Sequence, residues 1–146
     1  MRVLFLDVNV CLYAFRPTMS DQAAAVADWL GARLSGRDRV AVSDSVLASM
    51  VRIATHPRVF EEPAPPATAL DFAATLRSHP SVGVVTPGAQ TWQAFTEYVA
   101  DLRLKGADVP DAYLAAVARG SGATMVTTDR GFTRFPGLRV LDPTTA

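Results

Sequence analysis

The sequence is poor in the side chains that most often carry covalent or soft-metal chemistry. Cys11 is the only cysteine among 146 residues, so neither a disulfide within the chain nor a thiolate metal cluster can form. It follows Asp7-Val8-Asn9-Val10 in what reads as an apolar helix start, the setting of a small buried thiol rather than a nucleophile. The two histidines, His56 and His79, stand in no metal-ligand spacing, and the chain offers no credible Ser-His-Asp or Cys-His set. No apolar run approaches the ~20 residues that span a bilayer. The apolar opening, residues 1–6, is interrupted by Asp7 and Asn9 with no small-residue cleavage site behind it, so a mature cytoplasmic protein is expected. A glycine-rich phosphate loop is also missing, because Gly120, Gly122 and Gly131 do not follow one strand in the required order. Lys105 is the only lysine, and 14 basic residues balance 14 acidic ones. Bulk charge therefore does not advertise a nucleic-acid partner, although arginine forks onto phosphate and local patches stay open.

What remains is a chain 49% hydrophobic and 19% charged, long enough for a real core and read as a single domain over residues 1–146. Residues 3–6 form a short continuous apolar run, the pattern of a buried parallel strand. A short helix over 8–15 follows, stopped near Pro17. Ser20 can cap a second helix in which Ala24, Ala25, Val26, Trp29, Leu30 and Leu34 recur at helical spacing up to Gly36. Residues 39–42 read as a strand, and Ser43 or Asp44 caps a helix to Ala54 with Leu47, Met50, Val51 and Ala54 inward. Residues 55–66 hold four of the ten prolines and are expected to be an irregular loop. Helical stripes follow on Leu70, Phe72, Ala73 and Leu76, then on Trp92, Phe95, Tyr98, Val99 and Leu102, with a strand over 82–85 between them. A compact Ala-rich helix over 111–118, a strand over 123–127 and a last strand over 138–141 complete the chain. Strands alternating with helices predict a three-layer α/β/α fold on a mainly parallel sheet.

In such sheets, sites form beyond the carboxyl ends of the strands. Asp7 ends the first strand and Asp129 follows the strand over 123–127. Asp111 opens the helix leading into that strand. Singly, each reads as a helix cap. Together, they place three acids on one edge, where like charges call for a compensating cation. With no sulfur or imidazole set on offer, that cation is a hard one, Mg²⁺ or Mn²⁺.

The residues around these acids carry a resemblance. Leu6-Asp7-Val8-Asn9, Arg52-Ile53-Ala54-Thr55-His56-Pro57-Arg58-Val59-Phe60, Pro110-Asp111-Ala112-Tyr113-Leu114-Ala115-Ala116, Thr127-Thr128-Asp129-Arg130-Gly131-Phe132 and Gly137-Leu138-Arg139-Val140-Leu141-Asp142-Pro143 occur in this order. Each motif alone is weak, but their order and spacing make the chain resemble the PIN-domain family, and within it the VapC-type toxins of bacterial toxin–antitoxin pairs. The resemblance implies a Mg²⁺- or Mn²⁺-dependent endoribonuclease leaving 5′-phosphate and 3′-hydroxyl ends, a homodimer, and a VapB-type antitoxin partner. It assigns Asp7, Asp111 and Asp129 to metal binding, and Asn9 and Thr127 to orienting those acids or a bound water, with Thr128 beside them.

One departure stands out. The family commonly has a glutamate where this chain has Ser49. Three readings compete: binding through a water held by Ser49, replacement by Asp44 or Asp108, or weakened catalysis. Asp44 would point away by about 140° on a regular helix, while Asp108, three residues from Asp111, is better placed but also reads as a surface-loop acid. The resulting expectation is a three-carboxylate site of weaker metal affinity. Arg52, Arg58, Arg130 and Arg134 are candidates to grip the RNA backbone, although Arg52 could instead pair with a catalytic carboxylate. Arg130 and Arg134 share a face if their segment is an α-helix. Trp29, Trp92, Phe95 and Tyr98 are expected in the core or at dimer contacts.

Two rivals stay in view. An aspartyl-nucleophile phosphatase needs a second carboxylate two residues after its first, where this chain has Asn9. A PIN-like binding module with a decayed site, engaging RNA or an antitoxin, draws its support from Ser49.

Overall fold

The computed structural model describes residues 2–146; Met1, first residue of the apolar opening, lies outside them. Five parallel strands form one sheet in the order β3-β2-β1-β4-β5: β1 is Val3–Leu6, β2 Arg39–Val42, β3 Val82–Val84, β4 Thr124–Val126 and β5 Val140–Leu141. Six α-helices flank it: α1 Val8–Phe15, α2 Asp21–Leu34, α3 Asp44–Ala54, α4 Pro66–Ser78, α5 Ala89–Asp101 and α6 Asp108–Gly120. The expected α/β/α class is what forms, with every strand pairing parallel.

Local chemistry sets the element boundaries. The Ser20 hydroxyl accepts from the amide of Ala23 at 3.0 Å and starts α2. The Ser43 hydroxyl does the same for Val46 at 3.2 Å, so Ser43 is the cap of α3 and Asp44 its first residue. Pro66 opens α4, where a missing N–H costs nothing. Residues 55–65 form the expected irregular loop. It is held by the Ala64 amide on the Ala54 carbonyl (2.9 Å), and by Arg16, which donates to the Glu62 carbonyl and lies 4.2 Å over the Phe60 ring.

Three expectations need correcting. The Ala-rich helix begins at Asp108, not Asp111, because Pro110 fits the first turn of a helix without losing a hydrogen bond. Asp108 is thus a helical residue beside Asp111, not a loop acid. Ala24 and Ala25 are exposed, and Ala23 is the buried alanine of α2. Of the aromatics expected in the core or at dimer contacts, Trp29 and Tyr98 lie in the core and Trp92 is 62% exposed, so the core is not its place. The last two strands are also shorter than the apolar runs that suggested them.

The core gathers on β1, β2 and β4, whose residues Leu4, Phe5, Leu6, Val40, Val42, Met125 and Val126 are almost wholly buried. Both faces of the sheet are covered, which is why these strands read as unbroken apolar runs. Small residues let α6 lie close, with Ala112, Ala115, Ala116 and Ala118 fully buried. At its end Gly122 takes φ +66°, its amide bonds the Arg119 carbonyl (3.1 Å), and the Ala123 amide bonds Ala118 (2.9 Å). This pair of bonds is a Schellman motif, and it feeds the chain straight into β4.

The strand order reverses between β1 and β4. β1 leads to β2 on one side, while β4 pairs on the other with Leu6 opposite Val126. The next residue on each strand, Asp7 and Thr127, therefore emerges side by side at the carboxyl edge. That crevice is where a parallel sheet binds its ligand.

Candidate active site

Asp7 is the innermost acid of the crevice, 5% exposed. Its Oδ1 accepts from the Val8 amide at 2.7 Å. Its Oδ2 accepts from the Thr127 hydroxyl at 2.7 Å and from Asn9 Nδ2 at 3.2 Å. The same Thr127 oxygen accepts from Asn9 Nδ2 at 3.2 Å and from the Asp129 amide at 3.0 Å. One donor and two acceptors exhaust what a hydroxyl can do, so Thr127 joins β1, α1 and the segment after β4 through a single buried atom. Asn9 Oδ1 accepts from the Thr128 amide at 3.4 Å. Thr128 thus contributes its backbone to this network.

Asp129 follows β4 and caps a short 3₁₀ turn, Arg130–Arg134, by accepting from the Gly131 amide at 2.8 Å. Asp111 stands in the first turn of α6 with Asp108. Arg134 reaches both, with Nη2 at 3.4 Å from Asp108 and 3.6 Å from Asp111. The capping reading therefore describes Asp7 and Asp129 but not Asp111, which caps nothing.

The acids feel one another. Burial pushes the Asp7 carboxyl above its ordinary value, the bonds from Thr127 and Val8 pull it back, and the charges of Asp111 and Asp129 push it up further. Asp111 is raised by burial and then by Asp129, with Arg134 opposing. Three acids remote in sequence thus share one electrostatic neighbourhood. As they stand, however, each is engaged elsewhere: Asp7 by Thr127, Asp129 by Gly131, Asp111 by Arg134. Among the described residues no three acidic, histidine or cysteine side chains converge closely enough to hold one ion without movement.

The donors on offer are carboxylate oxygens. Cys11 is fully buried, its thiol pushed up to about 12 by burial and by the charge of Asp7. The imidazoles of His56 and His79 each accept a backbone amide two residues on, from Arg58 and Ser81, at 3.0 Å. An all-oxygen set of clustered carboxylates suits Mg²⁺ or Mn²⁺, and in donor chemistry the residues present fit such an ion once their side chains turn from their present partners.

Ser49 is half-buried on α3 and lines a cavity of about 260 Å³ with Val8, Ser45, Val46, Pro110, Tyr113 and Leu114. Val8 adjoins Asp7 and Pro110 adjoins Asp111, so this cavity opens beside the acids. Asp44 is directed away from it and forks onto Arg77 at 2.8 Å on the exposed side of α3 and α4. This removes Asp44 as a replacement for the absent glutamate and leaves Asp108 as the acid beside the three.

The arginines separate. Arg52, Arg58 and Arg130 are exposed and enter no ion pair among the described residues. The pairing with a carboxylate weighed for Arg52 falls instead to Arg134. Arg130 and Arg134 do not share a face, because their segment is a 3₁₀ turn in which four residues advance by about 120° beyond a full turn. The spacing Asp129-Arg130-Gly131-Phe132-Thr133-Arg134 carried no mark of this role. Only the tight turn brings the guanidinium back over Gly131.

Residues 4–138 match the PIN domain. The chain belongs to the PIN-domain family. Among curated PIN proteins it is 38% identical over 144 residues to Ribonuclease VapC43 of Mycobacterium tuberculosis, covering 97% of this chain and 95% of that protein. Ribonuclease VapC31 of the same organism is 33% identical over 141 residues, 97% and 99% of the two chains. Among solved structures, the PIN fold recurs in VapBC-1 from nontypeable Haemophilus influenzae, with a TM-score of 0.71, 19% identity, and 97% and 98% of the chains covered.

Proposed function

We propose that this PIN domain is a divalent-ion-dependent endoribonuclease of the VapC toxin type, with Asp7, Asp111 and Asp129 as its ion-binding acids. The observation that carries the reading is the crevice between β1 and β4. There one buried hydroxyl, Thr127, fixes Asp7 against the backbone of Asp129, and Asp111 faces the same space closely enough to perturb it. The ribonuclease names of relatives at 38% and 33% identity support the activity.

A bound Mg²⁺ or Mn²⁺ supplies polarisation of a phosphodiester and a lowered pKa for a coordinated water. The protein's own residues prepare for this. The Thr127 hydroxyl and the Val8 amide favour the ionised Asp7 carboxylate against its burial, and Asn9 and Thr127 fix its orientation. Asp111, on the first turn of α6, and Asp129, at the head of the 3₁₀ turn, present their charges from the other two sides. Arg52, Arg58 and Arg130, exposed and without ion-pair partners, are available to phosphates of an RNA strand. Ser49 cannot act as a base at neutral pH, so the site works with one charge fewer than the family commonly has. The names of the solved VapBC complexes support a VapB-type antitoxin as partner.

The test is RNA cleavage with Mn²⁺ and with EDTA by the wild type and by Asp7→Asn, Asp111→Asn and Asp129→Asn, mapping the 5′ ends. Cleavage by the wild type alone, dependent on the ion and leaving 5′-phosphates, is expected. Full activity in all three variants would remove the proposal. Ion binding without any cleavage by the wild type would favour the binding module that Ser49 suggests.

A further inference from the structure

Arg134 is the one cation paired to the acid cluster among the described residues, and four separate contacts hold it there. Its Nη2 lies 3.4 Å from Asp108 and 3.6 Å from Asp111, and its Nη1 donates to the Gly131 carbonyl at 2.9 Å. Its guanidinium carbon sits 4.7 Å from the centre of the Phe135 ring. Gly131 makes the room: a Cβ there would stand 2.7 Å from Nη1 and 3.0 Å from the Asp129 carboxylate. Arg134 is therefore packed beside Gly131 and the first turn of α6, against Asp111, one of the acids that would hold an ion, and its neighbour Asp108.

The two ion pairs are long and the side chains half-exposed, at 35% for Arg134, 59% for Asp108 and 34% for Asp111. Such contacts are cheap to break. A guanidinium cannot lose its proton near neutral pH, so its charge is withdrawn from the acids only by moving the side chain. The exposed flank of Arg134 gives it somewhere to go.

We propose that Arg134 is a tethered counter-ion: it competes with a divalent cation for Asp111 and so sets how tightly the site binds that cation. The inference rests on the nuclease reading of the site.

Mn²⁺ binding, followed by calorimetry and by the spin-resonance signal of free Mn²⁺, tests this without any catalytic readout. Arg134→Gln keeps a polar, though shorter, side chain and removes the charge. It should tighten Mn²⁺ binding about three- to tenfold, the scale of two half-exposed ion pairs. Arg134→Lys keeps the charge and should stay within about twofold of the wild type. Unchanged or weaker binding in Arg134→Gln overturns the proposal. Equal tightening in Arg134→Lys overturns it too, since lost packing on Phe135 rather than lost charge would then be responsible. A wild type whose Mn²⁺ binding is indifferent to Asp7→Asn, Asp111→Asn and Asp129→Asn brings down the nuclease site itself, a distinct failure.

Discussion

Replacing Thr127 by valine changes almost no volume and deletes the hydroxyl on which the crevice converges. Three bonds go with it: the one donated to Asp7 at 2.7 Å, and those accepted from Asn9 at 3.2 Å and from the Asp129 amide at 3.0 Å. A hydrogen bond to a charged partner contributes about 1.5–3 kcal/mol. The amide of Asp129 can turn to water at the rim, and the added methyl returns up to about 0.8 kcal/mol by burial. The net loss expected for Thr127→Val at neutral pH is about 1–3 kcal/mol, a fall in Tm of roughly 3–10 °C for a domain of this size. Thr127→Ser, which keeps the oxygen and drops a methyl, should lose only about 1 kcal/mol. The Thr127 bond favours ionised Asp7, so its contribution is present while Asp7 is charged and fades as pH falls through the folded-state pKa of that carboxyl. The deficit of Thr127→Val against wild type should therefore shrink in acid. Urea melts of the three proteins at neutral and acid pH decide it. Wild-type stability in Thr127→Val, or a deficit that grows in acid, would refute the reasoning.

Other outcomes follow from the same geometry. Asp7 and Asp111 have carboxyl pKa values raised by burial and by repulsion from neighbouring acids, so at these two groups the folded protein binds protons more tightly than the unfolded chain. Ion-free protein should lose stability as pH rises above about 4, and Mn²⁺ should restore it at neutral pH. Melting curves over a pH series check the slope, and the exposed Asp44–Arg77 pair opposes it only weakly through solvent. The Cys11 thiol, pushed up to about 12 and fully buried, should resist iodoacetamide in the native state at pH 8 and react once unfolded. Ser49→Glu places a carboxylate at the mouth of a cavity of about 260 Å³. It should bind Mn²⁺ more tightly than the wild type, and weaker binding by titration would show that the cavity does not face the ion.

The fold was legible because the central strands β1, β2 and β4 are buried on both faces, and α1, α2 and α3 each begin with a side-chain cap. Val3–Leu6, Val8–Phe15 and Arg39–Val42 can be bounded from the apolar runs and the residues that break them. Strand-end acids were legible for the same reason, since Asp7 and Asp129 interrupt apolar runs at the edge where parallel sheets bind ligands. The start of α6 was not, because proline reads as a boundary although it is tolerated within a first turn. The role of Arg134 was hidden by period: an α-helical count aligns it with Arg130, whereas the 3₁₀ turn sends the two apart. Trp92 sits on a regular helical stripe, and periodicity alone cannot say that the stripe runs past the edge of the core.

The most direct measurement is anomalous diffraction at the manganese edge from crystals soaked in Mn²⁺. A peak within coordination distance of carboxylate oxygens from Asp7, Asp111 and Asp129, with Arg134 withdrawn from Asp111, is the expected result. A crevice without a peak, or one whose only manganese lies away from these three acids, would contradict the account.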